Sequence, residues 1–389
     1  MDFELNKEQR DIQKAAREFA EAEFDKDYML DLELNHKFPW ELLKKACELG
    51  FISIDFPEEY GGQGYGLMEK ALVLEEFCRV GAGVGVSVGT CQFAARMILN
   101  SGSEEQKKKY LPLVCSGEGL PVSGAFTESD KGSDLVTSPL YTTAVKDGTD
   151  YLINGTKTFT TFADIARFTI VLCQTNPEAR PPYRGQSTIL IENLSEQKGI
   201  SITEFNKMGW KSCATTEISF NNVRVPQENL IGEENQGFYH AMDFLDGFRV
   251  EIASCSVGTA QGAFEKALDY AKTREAFGHK IGVFQAISHK LAEMATKIEA
   301  ARLLVYKAAT QFDRDNKIDR KLSSMAKWYP ARISVEVADE AIEILGGHGY
   351  MLENEVERFY RDARQFELVE GTREIHKNTI ARVLLGKLE

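Results

Sequence analysis

The segment from Gly119 to about Asn229 constrains the fold most, because its texture differs from everything on either side. "TDYLINGTKTFTT", "RFTIVLCQT", "STILIENL" and "CATTEISFNNVRVP" set β-branched and aromatic residues between Asn, Gly and Asp turns, the pattern of short strands joined by tight connections. The segment predicts an antiparallel β unit. From Asn6 to about Leu111 the pattern is helical instead. "NKEQRDIQKAAREFAEAEF" offers an Asn cap with Gln9 three residues on, and Ile12, Ala16 and Phe19 recur at helical spacing. "PWELLKKACELG", "LMEKALVLEEFCRVG" and "SEEQKKKYLPLVCSG" read as further helices. From about Gly237 long helices return, one with Ile287, Leu291, Met294, Ile298 and Ala301 on a single stripe. At 389 residues, 43% of them hydrophobic, the chain exceeds what one core usually serves. The expected organisation is a helical domain over 1–118, a β domain over 119–232 and a second helical domain over 233–389.

Charge and motifs exclude several functions. A net charge of −13 opposes binding to nucleic acid or anionic membrane, both of which need a basic surface. Seven scattered cysteines without a C-x-x-C indicate neither a disulfide framework nor a zinc cluster, and they fit a reducing cytosol. The polar start "MDFELNKEQR" and the lack of an apolar run near ~20 residues predict a soluble, cytoplasmic protein. "GAGVGVSVG" (81–89) lacks both the G-x-G-x-x-G spacing and a surrounding βαβ unit, and "YGGQGYG" (60–66) is not followed by Gly-Lys-Ser/Thr. The six histidines show no metal-site spacing, and no G-x-S-x-G elbow is present.

What remains is a set of separated clusters. "GAFTESDKGSD" (124–134) and "NGTKTFTTFADIA" (154–166) place Thr127, Ser133, Thr160 and Thr161 at strand ends, where hydroxyls serve turn capping as readily as ligand contact. "TREAFG" (273–278) and "ILGGHGYMLENEVERFYRDA" (344–363) supply an arginine, an aromatic and a double-Gly turn. In "FELVEGTREIHKNTIAR" (366–382) a carboxylate, Glu370, follows an apolar run and precedes the last helix.

These motifs, in this order, resemble the acyl-CoA dehydrogenase family along essentially the whole chain. They are "PEEYGGQG" (57–64), "TESDKGSD" (127–134), "NGTKTFTT" (154–161), "NVRVP" (222–226), "REAFG" (274–278), "ILGGHGY" (344–350), "RFYRDAR" (358–364) and "EGTREI" (370–375). The resemblance implies a helical N-terminal domain, a middle antiparallel β-barrel-like domain and a C-terminal four-helix bundle. It also implies FAD, an acyl-CoA substrate, an electron-transferring flavoprotein as acceptor, and a homotetramer built as a dimer of dimers. No metal is implied.

The resemblance also assigns residues. Glu370 matches the base that removes the α-proton while the β-hydride goes to the flavin. The family's other position for the base, on "FLDGFRVEIAS" (244–254), is held here by Phe248, which cannot take a proton. Thr127 and Thr161 resemble flavin-ring contacts, the latter near N5, and Phe159 replaces a tryptophan that usually covers the ring. Arg274, Phe277, Gly346 and Gly347 resemble contacts to the FAD diphosphate and adenosine, partly in a neighbouring subunit. Thr372 and Glu374 resemble further FAD contacts, and Glu343 stands where a glutamine often makes one. Ser133, which also matches a cofactor position, resembles with Asp246 and Arg249 the side of the pocket that meets pantetheine and the glutamate. Ser129 replaces a usual proline. Val369 replaces an aromatic before the base; the volume this frees either admits a branched or ring-bearing acyl group or is filled by Phe366 or another neighbour. Oxidation of a carrier-protein thioester, suggested by "KSCATTEISF" (211–220), and flavin monooxygenation on the same fold remain alternatives; the retained Glu370 weighs against the second.

Overall fold

The side chains of Asn6 and Gln9 accept from each other's backbone N–H groups, at 2.9 and 3.1 Å, and this capping box starts α1 (Lys7–Glu23). The computed structural model describes residues 4–386. Six more helices follow: α2 (Lys26–Leu34), α3 (Trp40–Glu48), α4 (Leu67–Val80), α5 (Ala82–Gly89), α6 (Ala95–Ser101) and α7 (Glu104–Ser116). The stretch "GAGVGVSVG" is the buried helix α5, and a Cβ on Gly85 would lie 2.7 Å from the Phe77 carbonyl carbon. Its glycines therefore let α5 lie against the backbone of α4.

The strands are β1 (Val122–Ala125), β2 (Thr143–Asp147), β3 (Asp150–Thr161), β4 (Phe168–Gln174), β5 (Gln186–Glu192), β6 (Ile200–Glu204), β7 (Thr215–Pro226) and β8 (Leu230–Ile231). They order as β6-β7-β3-β2-β4-β5-β8, with β1 beside β4. Most pairings are antiparallel, as the turn-rich sequence predicts. Two are not: β1 runs parallel to β4, and β2 meets β4 in parallel at Thr143–Gln174. Parallel neighbours need a crossover, which β2 and β3 provide between β1 and β4. Such a long-range pairing leaves no local sequence signal.

The C-terminal part opens with α8 (Gly237–Thr273), passes through the small hairpin β9 (Glu275–Ala276) and β10 (His279–Lys280), and continues with α9 (Gln285–Asp315) and α10 (Arg320–Leu345). Then come α11 (Val356–Phe366) and α12 (Arg373–Leu385). On α9, Met294, Ile298 and Ala301 are buried as the stripe predicts, with Ile287 and Leu291 at its margin. Small residues on α8 bring it against α4, where Cβ atoms on Gly258 and Gly262 would lie 2.0 Å from the Glu75 and Arg79 carbonyl oxygens. One hydrophobic cluster joins Phe77 of the first helices, Phe168 of the sheet and Phe244 and Phe366 of the last helices. The three parts thus share a core. All seven cysteines are free, and no described helix is long and apolar enough to cross a membrane.

Candidate active site

Glu370 sits in a turn whose approach is fixed from both sides. Asp362 on α11 accepts from the backbone N–H groups of Trp210 (2.7 Å) and Gly83 (2.9 Å), and Phe366 packs edge-on to Trp210 with ring centroids 5.1 Å apart. Beyond α11 the chain reverses through two left-handed residues, Glu370 (φ 55°) and Gly371 (φ 105°), before Thr372 begins α12. A non-glycine residue in that conformation costs on the order of 1–3 kcal/mol. Two long side chains hold it there. Arg249 Nε donates to the Glu370 carbonyl at 3.2 Å, and Lys327 Nζ donates to the Gly371 carbonyl at 2.8 Å. Asp246 holds the Arg249 guanidinium in turn, at 3.1 Å.

Both cations grip the backbone, so the Glu370 carboxylate has no hydrogen bond of its own within the described residues. Glu370 keeps part of its surface open, yet desolvation raises the pKa of its carboxyl, with Arg249 and Lys327 opposing the rise. Burial pushes the Lys327 ammonium down to about 7, against the attraction of Glu370. His376, buried beside Gly371, is pushed down to about 3 by burial and then by the two cations, so it stays neutral. Asp246 is raised by burial and opposed by Arg249. The assembly is one poised carboxylate on a turn held by Arg249 and by a lysine whose charge burial weakens.

A second group lies at the ends of β1 and β3. Strand β3 loses its alternation at Phe159: its register against β7 shifts between Lys157 and Thr160, Lys157 and Thr158 are both buried, and Phe159 adopts φ 55°. This bulge turns the Phe159 ring outward, 65% exposed, and leaves Thr161 half-buried at the strand end. Thr160 points inward, its hydroxyl oxygen buried without a partner. Three residues earlier on β3, buried Lys157 donates to Glu128 and to the Phe126 carbonyl, both at 3.0 Å. Glu128 accepts the N–H groups of Tyr141 and Thr142, both at 2.8 Å, which closes the loop carrying Thr127 and the exposed Ser133. The Thr127 carbonyl accepts from Thr158 N–H at 2.9 Å, so the two segments move as one.

The third group stands apart. Arg274 ends α8, 25 residues beyond Arg249 or roughly 37 Å along the helix. Arg274, Phe277, Glu343, Gly346 and Gly347 are all exposed, and the contact of Tyr270 with His348 (6.0 Å) brings their two segments to one end of the helical bundle. Within one chain they do not meet Glu370. Thr372 and Glu374 start α12 just after it, Glu374 exposed in the first turn. The sequence reading missed Lys327 and His376. For Lys327 the signal was periodicity: it falls in line with the buried Ser323, Ala331 and Ser334 of α10.

The comparisons agree along the whole length. Residues 6–118, 123–223 and 235–385 match the models for the N-terminal, middle and C-terminal domains of acyl-CoA dehydrogenase. The chain is 41% identical over 377 residues to the CarC subunit of the caffeyl-CoA reductase-Etf complex of Acetobacterium woodii, covering 97% of this chain and 98% of that one. It is 40% identical over 390 residues to an acyl-CoA dehydrogenase of Bacillus subtilis, covering 98% and 99%. The solved structure of butyryl-CoA dehydrogenase from Megasphaera elsdenii superposes with a TM-score of 0.92 at 33% identity, covering 99% of this chain and 100% of that one. With three domain models matched in order and relatives aligned end to end, the chain belongs to the acyl-CoA dehydrogenase family, oxidoreductases that act on acyl-CoA.

Proposed function

We propose that the chain exchanges two hydrogens between Cα and Cβ of an acyl-CoA thioester, with Glu370 as the base at Cα. The observation that carries this reading is a desolvated carboxylate with no hydrogen bond of its own, on a turn fastened through its carbonyls by Arg249 and Lys327. A carboxylate in water is too weak a base for a proton beside a thioester, and desolvation raises its basicity toward the working pH. FAD, when bound, supplies the acceptor for the β-hydrogen that no side chain can supply. Anaerobic addition of saturated acyl-CoA esters to the flavin-loaded protein should bleach the flavin absorbance. If no saturated ester bleaches it and no α,β-unsaturated ester restores the colour of the reduced protein, the reading fails.

The residues present suit a flavin dinucleotide. The hydroxyls of Thr127 and Thr161 make no bond within the described chain, and the Phe159 ring, two residues before Thr161, is exposed apart from its contact with Phe205. Arg274 forms no ion pair among the described residues, and a Cβ on Gly346 or Gly347 would meet nothing within 4 Å, so cationic and open backbone groups are free for a diphosphate. The distance of this group from Glu370 supports its use by a neighbouring subunit of a homotetramer. Arg274→Ala is then expected to lose most bound FAD and to weaken the tetramer together, as read by flavin content against sedimentation mass. Full FAD occupancy in a monomeric variant would contradict this.

A second reading concerns direction. The relative from Acetobacterium woodii is named a reductase and a subunit of an Etf complex. The same groups serve reduction, because a raised Glu370 carboxyl can return the proton to Cα, and an electron-transferring flavoprotein then acts as donor instead of acceptor. Reoxidation of the reduced protein by an α,β-unsaturated thioester, faster than bleaching by the saturated partner, would favour that direction.

A further inference from the structure

Four phenylalanines form a continuous wall that the chemistry above leaves unused. Phe93 and Phe248 lie 5.0 Å apart at 22°, Phe244 and Phe248 5.4 Å apart at 20°, and Phe126 meets Phe244 at 6.2 Å. At one end, Phe126 immediately precedes Thr127 in the chain. Phe248 immediately precedes Arg249 on α8, whose guanidinium holds the Glu370 carbonyl. The stack thus joins residues next in the chain to the strand-end Thr127 and to the arginine that holds the base's carbonyl.

Phe244 and Phe248 are buried, whereas Phe93 and Phe126 keep part of their surface open. Both open rings press on bare backbone at Gly124, where a Cβ would lie 2.9 Å from Phe126 Cε2 and 3.2 Å from Phe93 Cε2. Three of the rings are inclined by no more than 40° to one another, an offset-stacked arrangement that a further flat ring can extend. An aliphatic chain buries area there but gains nothing from ring orientation.

We infer that the acyl group this site takes carries an aromatic ring on Cβ, as in a 3-arylpropionyl thioester, seated against the Phe93–Phe248 end of the wall. With Cα at Glu370, a ring on Cβ lies two bonds from Cα; Phe248, next on α8 to the Arg249 that holds the Glu370 carbonyl, is the stacked ring assigned to it. Val369, next to the base, is a small apolar residue packed partly buried against the same core cluster as these rings. The inference rests on the Glu370 reading.

The test compares kcat/KM for 3-phenylpropionyl-CoA and hexanoyl-CoA with the flavin-loaded protein, then repeats it with Phe93→Leu and Phe93→Trp. The expected result is a preference of about tenfold for the aryl ester, lost in Phe93→Leu and kept in Phe93→Trp, since each stacked pair adds several-fold beyond area burial. Flavin content and melting temperature show whether each variant folds; should Phe93→Leu fail, the preference in Phe93→Trp and the unsubstituted protein still decides. A preference for hexanoyl-CoA, or equal losses on both esters in Phe93→Leu, overturns the inference while the Glu370 reading stands. If neither ester exchanges electrons with the flavin, the Glu370 reading fails instead, and Kd values from perturbation of the flavin spectrum decide the ring preference on their own.

Discussion

Glu370→Gln is expected to keep FAD and to bind acyl-CoA, yet to lose at least ~10²-fold in the rate at which a saturated thioester bleaches the flavin. The amide has nearly the shape of the carboxyl and leaves the backbone bonds to Arg249 and Lys327 in place, so the turn should persist. What it lacks is a site for the proton. The pH dependence provides an independent check. Because burial raises the Glu370 carboxyl, kcat/KM in the unsubstituted protein should climb as pH passes through a range above the ordinary carboxylate value, as the group loses its proton and becomes a base. In Glu370→Gln that limb should vanish. Stopped-flow absorbance across a pH series measures both, and near-normal bleaching by the variant would remove Glu370 from the role.

How much of this was legible in the sequence follows the range of each interaction. The α–β–α order was, because capping at Asn6, the α9 stripe and the turn-rich strands are local patterns. The parallel place of β1 was not, since its partner Phe168–Val171 lies 46 residues away and nothing local specifies it. Glu370 could be singled out from its apolar approach and the following Gly-Thr, but its left-handed backbone could not. In that conformation the Glu370 and Gly371 carbonyls are held by Arg249 and Lys327, which come from two other helices. The bulge at Phe159 is similar: the sequence reads as an uninterrupted strand, and the register shift appears only against β7. Phe93 and Phe126 look in sequence like ordinary core residues, and their alignment with Phe244 and Phe248 depends on the bare backbone of Gly124.

Lys327 is the group whose removal should separate charge from position. It is fully buried, and desolvation has brought its ammonium down to about 7, so near neutral pH it carries its charge only part of the time. While charged it favours the ionised form of Glu370 and opposes the rise that burial imposes. Removing that charge must therefore raise the Glu370 carboxyl further and carry the rising limb of kcat/KM to higher pH. Position is a separate matter, because Lys327 Nζ is also the donor to the Gly371 carbonyl. Lys327→Gln removes the charge but offers an amide N–H to that carbonyl; Lys327→Met keeps comparable length and offers none. Both variants should shift the limb upward, but only Lys327→Met should also lower the rate at its new optimum, on the order of 10²-fold if the carboxylate is displaced by ~1 Å. An unfilled carbonyl also costs ~1–3 kcal/mol, so the melting temperature should fall more in the Met variant than in the Gln variant. pH profiles of both variants that overlay that of the unsubstituted protein would show that Lys327 does not act through Glu370. A shared loss of rate with no shift of the limb would leave it a packing residue of α10.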